Sequence, residues 1–179
     1  MFLPGKRIAF NCISRGGIKI SFEEGIAMRA DYINPFVDSA QNVIEGLMPS
    51  DINIKRSALL LKESLSANGI SATLFLAGAV EGRIVLDLEP EVAKKIAGAM
   101  NGIEICEMDH LAVDTICELT NIIIGKAVTS LNNKGFRFKS SPPSFFIGEK
   151  IFHGLESLCI SLHTTWGEVK IQAAIKDKK

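Results

Sequence analysis

A carboxylate and an amide three residues apart, Glu118 and Asn121, are the side chains of this sequence best placed for shared chemistry. On a helix such a pair are surface neighbours. The amide carries a donor and an acceptor, so it can orient a water molecule without titrating. The carboxylate beside it suits a cationic partner. At about 100° per residue, Asp114, Glu118, Asn121, Gly125, Thr129 and Asn132 fall on one narrow side of the run 109–132. Ala112, Val113, Ile116, Thr120, Ile123, Ala127 and Leu131 fall on the other and are assigned to the core. A glycine inside a helix costs about 1 kcal/mol relative to alanine. Gly125 belongs to the outward side, so the physical reason for it is clearance: something approaches the backbone there. Ile122 borders the stripe, and an apolar residue at the rim of a polar patch fits a docking surface better than open solvent. A solvated helix face is the plain alternative for a Glu-x-x-Asn pair.

Other chemistry lacks its residues. Twenty Lys and Arg balance twenty Asp and Glu, so no excess of positive charge exists to track a phosphate backbone, and nucleic acid is not expected as a partner. The longest apolar run falls short of the ~18 residues that a membrane crossing needs. Cys12, Cys106, Cys117 and Cys159 are scattered, without a C-x-x-C pair, and read as reduced, buried thiols of a cytoplasmic protein. His110, His153 and His163 have no metal-ligand spacing, so no metal site is expected. There is no Walker-type or G-x-G-x-x-G run, and Ser39, Ser57 and Ser130 have no linked His and Asp to activate them. Lys55-Arg56 and Lys94-Lys95 read as solvated basic pairs.

The elements that must position the pair alternate in blocks. Asn34-Pro35 reads as an N-cap followed by proline at the first helical position, opening an amphipathic helix over 35–48. Strand-like runs follow over 54–62, 70–77 and 83–88, the last two joined through a short hairpin at 78–82. Glu89-Pro90-Glu91 opens a helix over 92–100 that ends at Asn101-Gly102. The long helix 109–132 is closed by Lys134-Gly135. After it come runs at 136–139 and 145–147 around a Pro142-Pro143 break, then a hairpin of 158–164 and 168–175. Strands in hairpins rather than alternating singly with helices predict an α+β fold, a largely antiparallel sheet with long helices packed on it. Ser39, Asn42 and Gly46 of the first helix align without gaps with Glu118, Asn121 and Gly125, as two pseudo-duplicated helix-plus-strands halves would. Residues 1–27, with glycine breaks around short β-like runs, read as an N-terminal extension without assigned function, Met28 being an alternative start.

The run 100–126 with its Glu118-x-x-Asn121-x-x-x-Gly125 core, the Phe138-to-Pro143 segment after it and Tyr32-Ile33-Asn34-Pro35-Phe36 before it together resemble the CheX-type chemotaxis phosphatases of the CheC/CheX/FliY superfamily. The resemblance covers 28–175 and divides the chain into the extension 1–27 and a CheX-like phosphatase domain over 28–179. It implies hydrolysis of the phospho-aspartate of a CheY-like response regulator. Asn121 would hold the attacking water in line with phosphorus, and Glu118 would pair with the regulator's active-site lysine. Asp114, Ile122, Gly125 and Thr129 would dock the partner. The resemblance implies a homodimer and no cofactor in this chain, Mg²⁺ being carried by the phosphorylated partner. Ser39 stands where the first copy would need a carboxylate, as expected for the CheX branch with one site per chain; Asp38 and Gln41, also three apart, could form a degenerate site. The alternative is a non-catalytic module that docks through the same helix and sequesters a regulator or a chemotaxis or flagellar protein.

Overall fold

In the computed structural model, residues 24–48, 54–61, 64–67, 69–78, 80–153 and 157–177 are described, and they form three helices and nine strands. The first helix, α1 (Glu24–Leu47), begins well before the proline that was expected to open it. Pro35 lies inside it, where it has no N–H to return to the preceding turn. The sequence Ala27-Met28-Arg29-Ala30 consists of good helix formers, and their propensity carries the helix upstream across the 27/28 division. Residues 1–23, with the β-like runs read there, lie outside the described residues.

The sheet grows from hairpins. β3 (Ile70–Gly78) pairs with the next strand, β4 (Val80–Leu88), and β8 (Ser157–Thr164) turns through Thr165-Trp166 into β9 (Gly167–Asp177). With β1 (Lys55–Leu61), β5 (Phe138–Ser140) and β6 (Ser144–Ile147) they make a seven-stranded sheet in the order β1-β8-β9-β4-β3-β5, β6 also pairing with β3. Every pairing is antiparallel. β5 and β6 share one edge of β3, with Leu76 opposite Ser140 and Thr73 opposite Ser144. Pro142 and Pro143 separate the two because neither can donate to the ladder. Two further strands were not expected from sequence: β2 (Ser64–Ala67) and β7 (Lys150–His153) pair with each other in a small separate sheet.

α2 (Pro90–Asn101) is as expected, with proline in its first turn and Gly102 in the left-handed conformation at its end (φ +67°). α3 (His110–Asn133) packs along α1 and α2. One apolar core joins the three helices to one face of the sheet, including Phe36 and Ile44 of α1, Ile96 of α2, Ile116, Leu119 and Leu131 of α3, and Ile160 and Ile171 of the sheet. Tyr32 meets Phe136 edge to face with ring centroids 5.0 Å apart, tying α1 to the chain that leaves α3. The opposite sheet face carries a buried polar row in which Ser71 donates to the Asp87 carboxylate (2.8 Å).

Candidate functional site

Asp109 starts α3 at a defined residue: its carboxylate accepts from the Ala112 N–H (2.9 Å). About five turns of helix, carrying buried Ala112, Ile116, Leu119, Ile123, Ala127 and Leu131, then clamp it to the core. Val113, assigned to the core from its spacing, is only half-buried. Thr115 and Thr120 face inward because each hydroxyl returns to the carbonyl four residues back, on Leu111 and Ile116 respectively (both 2.7 Å). Thr115 also accepts from Asn101 Nδ2 (2.8 Å), which pins the end of α2 to the turn of α3 just before Glu118. The helix is held along its length, and its outer stripe is rigid for that reason.

That stripe faces water. Asp114, Glu118, Asn121, Gly125 and Thr129 are exposed, while Ile122 is half-buried at its edge. Among the described residues neither Glu118 nor Asn121 has a hydrogen-bond or ion-pair partner, so both polar groups are available to something outside the fold. A Cβ built on Gly125 meets nothing within 4 Å. The glycine therefore answers no crowding inside this chain, and the space it leaves is outside. Thr129 differs from the others: its hydroxyl donates to the Gly125 carbonyl (2.7 Å), leaving it only as an acceptor. Beyond Gly125 the surface sinks into an open depression of about 540 Å³ lined by Gly125, Lys126, Thr129, Ser130, Asn133 and Lys134.

Cys117 flanks Asn121. Burial, with the Asp114 charge adding to it, holds its thiol above the ordinary value, so it stays protonated near neutrality and supplies no thiolate nucleophile. Burial likewise pushes Cys159, on the sheet, up to about 11. Of the cysteines expected to be buried, Cys106 is exposed and Cys117 and Cys159 are half-buried; Cys12 lies outside the described residues. Among the described residues no group of three His, Cys, Asp or Glu is placed to hold a metal ion, and no helix is long and apolar enough to cross a membrane. The exposed Asn121 amide can orient a small polar molecule, and the exposed Glu118 carboxylate can receive a cation.

Two features escaped the sequence. Ser57 lies 2.8 Å from His163 Nε2 across β1 and β8, a partner 106 residues away. The acid that faces His163 across β8 and β9 is Glu168, but its carboxylate is engaged by Ser161 and Lys170. Burial alone would raise Glu168; the Ser161 hydrogen bond and the Lys170 charge bring it below its usual value, so it is committed to that pair rather than to a triad. Leu111, 43% exposed, was the other omission. It lies seven residues before Glu118 on the same stripe, a spacing that the helical periodicity could have revealed.

The α1 counterpart is closed. Ser39 is buried, and Arg56 from β1 donates to Asp38 (2.8 Å) and to Gln41. Asp38 and Gln41 are thus held by a neighbouring strand, and Arg56 is not the solvated cation its sequence context suggested.

Solved structures share this fold. A CheC-like protein from a Shewanella species is 24% identical, with TM-score 0.71 over 82% of this chain and 97% of its own. FliY from Thermotoga maritima is 17% identical, with TM-score 0.59 over 88% and 92%. The CheX–CheY–BeF3–Mg²⁺ complex from Borrelia burgdorferi contains a chain 32% identical, with TM-score 0.67 over 82% of this chain and 98% of that one. Fold and helix define a member of the CheC/CheX/FliY superfamily. Within it, the profile described as chemotaxis phosphatase CheX matches residues 70–163, just over half of the sequence. The chain belongs to the CheX family. The CheY-P phosphatase CheX of Thermotoga maritima is 31% identical over 77 residues, 42% of this chain and 50% of that protein, so the match spans about half the length of this curated relative.

Proposed function

We propose that this chain hydrolyses the phospho-aspartate of a CheY-like receiver domain, by seating the exposed stripe of α3 against the receiver's phosphorylation site. The observation that carries the reading is the pair Glu118 and Asn121, exposed and without partners among the described residues, on a helix that the CheX profile covers. The names of the Thermotoga and Borrelia relatives, a CheY-P phosphatase and a CheX–CheY complex, support the choice of partner.

An acyl phosphate is already reactive, so the protein has mainly to position water and leave the developing charge stabilised. In this reading the Asn121 side chain accepts a hydrogen bond from the water and donates to a phosphoryl oxygen, holding the water oxygen in line with phosphorus. The new P–O bond forms as the bond to the aspartate oxygen breaks; the aspartate leaves as a carboxylate, and the water's proton departs with the inorganic phosphate. Glu118 pairs with the receiver's lysine and sets register more than affinity. Gly125 admits the receiver's loops. Mg²⁺ stays with the receiver, the protein is a cytoplasmic homodimer, and Asp114, Ile122 and Thr129 complete the contact.

Release of phosphate from a receiver phosphorylated with acetyl phosphate or phosphoramidate tests this. Wild type is expected to accelerate release, and Asn121→Ala to lose about 10²-fold of that acceleration while still binding the beryllofluoride-loaded receiver. Binding without acceleration by wild type, for any cognate receiver, would leave a sequestering module instead.

A further inference from the structure

The formal charge of the chain is zero, yet around α3 the charges are sorted. Residues 96–125 contain Glu104, Glu107, Asp109, Asp114 and Glu118 and no Lys or Arg. Residues 126–148 contain Lys126, Lys134, Arg137 and Lys139 and no Asp or Glu. All nine are exposed, and among the described residues none of them is in an ion pair. The helix dipole explains part of this, since it favours acids in the first turn and bases in the last. It fades beyond those turns, so it covers Asp109 and Lys134 but not Asp114, Glu118, Lys126 or Lys139. Nor do the two groups neutralise each other. At 1.5 Å per residue, Glu118 and Lys126, the nearest acid and base across the division, lie about 12 Å apart along the axis, beyond the ~8 Å screening length of physiological salt. A docking partner feels two separate fields of opposite sign, with Glu118, Asn121 and Gly125 at the seam.

The ends also differ in shape. The acidic end carries two of the exposed large apolar side chains of the described residues, Ile103 (53%) and Leu111 (43%). The loop that presents Ile103 is held to α2: the Ile103 N–H donates to the Gly98 carbonyl (3.2 Å), and Lys94 Nζ to the Cys106 carbonyl (3.2 Å). The basic end is the depression past Gly125, with Lys126 and Lys134 on its rim.

We infer that this sorting fixes the direction in which the receiver lies along α3: an apolar element flanked by Lys or Arg rests on Leu111 and Ile103, and an acidic element rests over Lys126 and Lys134. The inference rests on the proposed receiver partnership and assigns Leu111 and Lys126 as affinity determinants outside the Glu118–Asn121 pair. Charge placed this way acts chiefly on the rate and orientation of encounter, and an apolar anchor acts on the lifetime of the complex.

Stopped-flow binding of the beryllofluoride-loaded receiver, at low and at physiological salt, tests it beside steady-state phosphate release. Leu111→Ala is expected to raise Kd and KM about tenfold, mainly through dissociation, with less effect on the rate at saturating receiver. The double exchange Asp114→Lys with Lys126→Glu preserves net charge. It is expected to slow association about tenfold at low salt and to flatten its salt dependence. Far-ultraviolet circular dichroism and thermal melting check that both variants fold. Unchanged Kd and salt dependence in both, with wild-type phosphatase activity intact, would overturn the inference and leave the receiver reading standing. A wild type that never binds the loaded receiver removes both.

Discussion

α1 and α3 lie against each other, and each carries an asparagine one turn before a glycine with open space above it. Asn42 and Asn121 are both exposed, and a Cβ on Gly46 or on Gly125 meets nothing within 4 Å. The surroundings of the two asparagines differ. On α3 the residue one turn before Asn121 is an exposed glutamate with no partner among the described residues. On α1 the residue in that place, Ser39, is buried, and the neighbouring polar pair Asp38 and Gln41 is bound by Arg56 from β1. A polar stripe on a helix therefore does not by itself leave its polar groups available to a partner. What separates the two faces is whether neighbouring elements have already satisfied the polar groups, because a group bonded inside the fold has little left to offer a partner.

The sharpest break of this comparison is the matched pair Asn121→Ala and Asn42→Ala. The first should lower receiver dephosphorylation about 10²-fold, the second by less than about twofold, and each should move stability by no more than about 0.5 kcal/mol. Equal loss from both would mean that α1 carries a working site. Next in size is Gly125→Leu set against Gly46→Leu. Neither position is crowded within the chain, and leucine is the better helix former, so both melting temperatures should hold or rise by the equivalent of up to about 1 kcal/mol. Only the α3 substitution should obstruct the partner, weakening receiver binding about tenfold or more. If Gly125→Leu binds normally, the clearance serves no partner. The smallest effect belongs to Arg56→Ala, which releases Asp38 and Gln41: about 1 kcal/mol less stability by chemical denaturation, with phosphate release at saturating receiver unaltered. An unchanged denaturation midpoint would show that the α1 contacts contribute little.

Legibility followed the range of the interactions. α2 and α3 could be read because their signals lie within one or two turns: proline and glycine at the ends of α2, the Lys134-Gly135 stop and the period of apolar residues along α3. The β3–β4 and β8–β9 hairpins could be read for the same reason. β2 and β7 could not. Each is four residues long and finds its partner more than eighty positions away, too short for a period and too distant for a turn signal. Pro35 misled in the other direction, since a proline that could open a helix also sits inside one when the flanking residues favour helix and the core holds both sides.

The sequence alone determined the α3 stripe, the identity and spacing of Glu118, Asn121 and Gly125, and the sorting of charge on either side of them. The stripe and its spacing follow from the order of residues on one helix with a known pitch, and the charge sorting from the order of residues along that helix and the segments flanking it. Tertiary structure alone decided which polar pairs remain free. Arg56 reaches Asp38 and Gln41, and Ser57 reaches His163, only because sheet pairing and helix packing join segments that the chain keeps apart. No local pattern encodes such a meeting, since it depends on how distant apolar faces settle into a shared core.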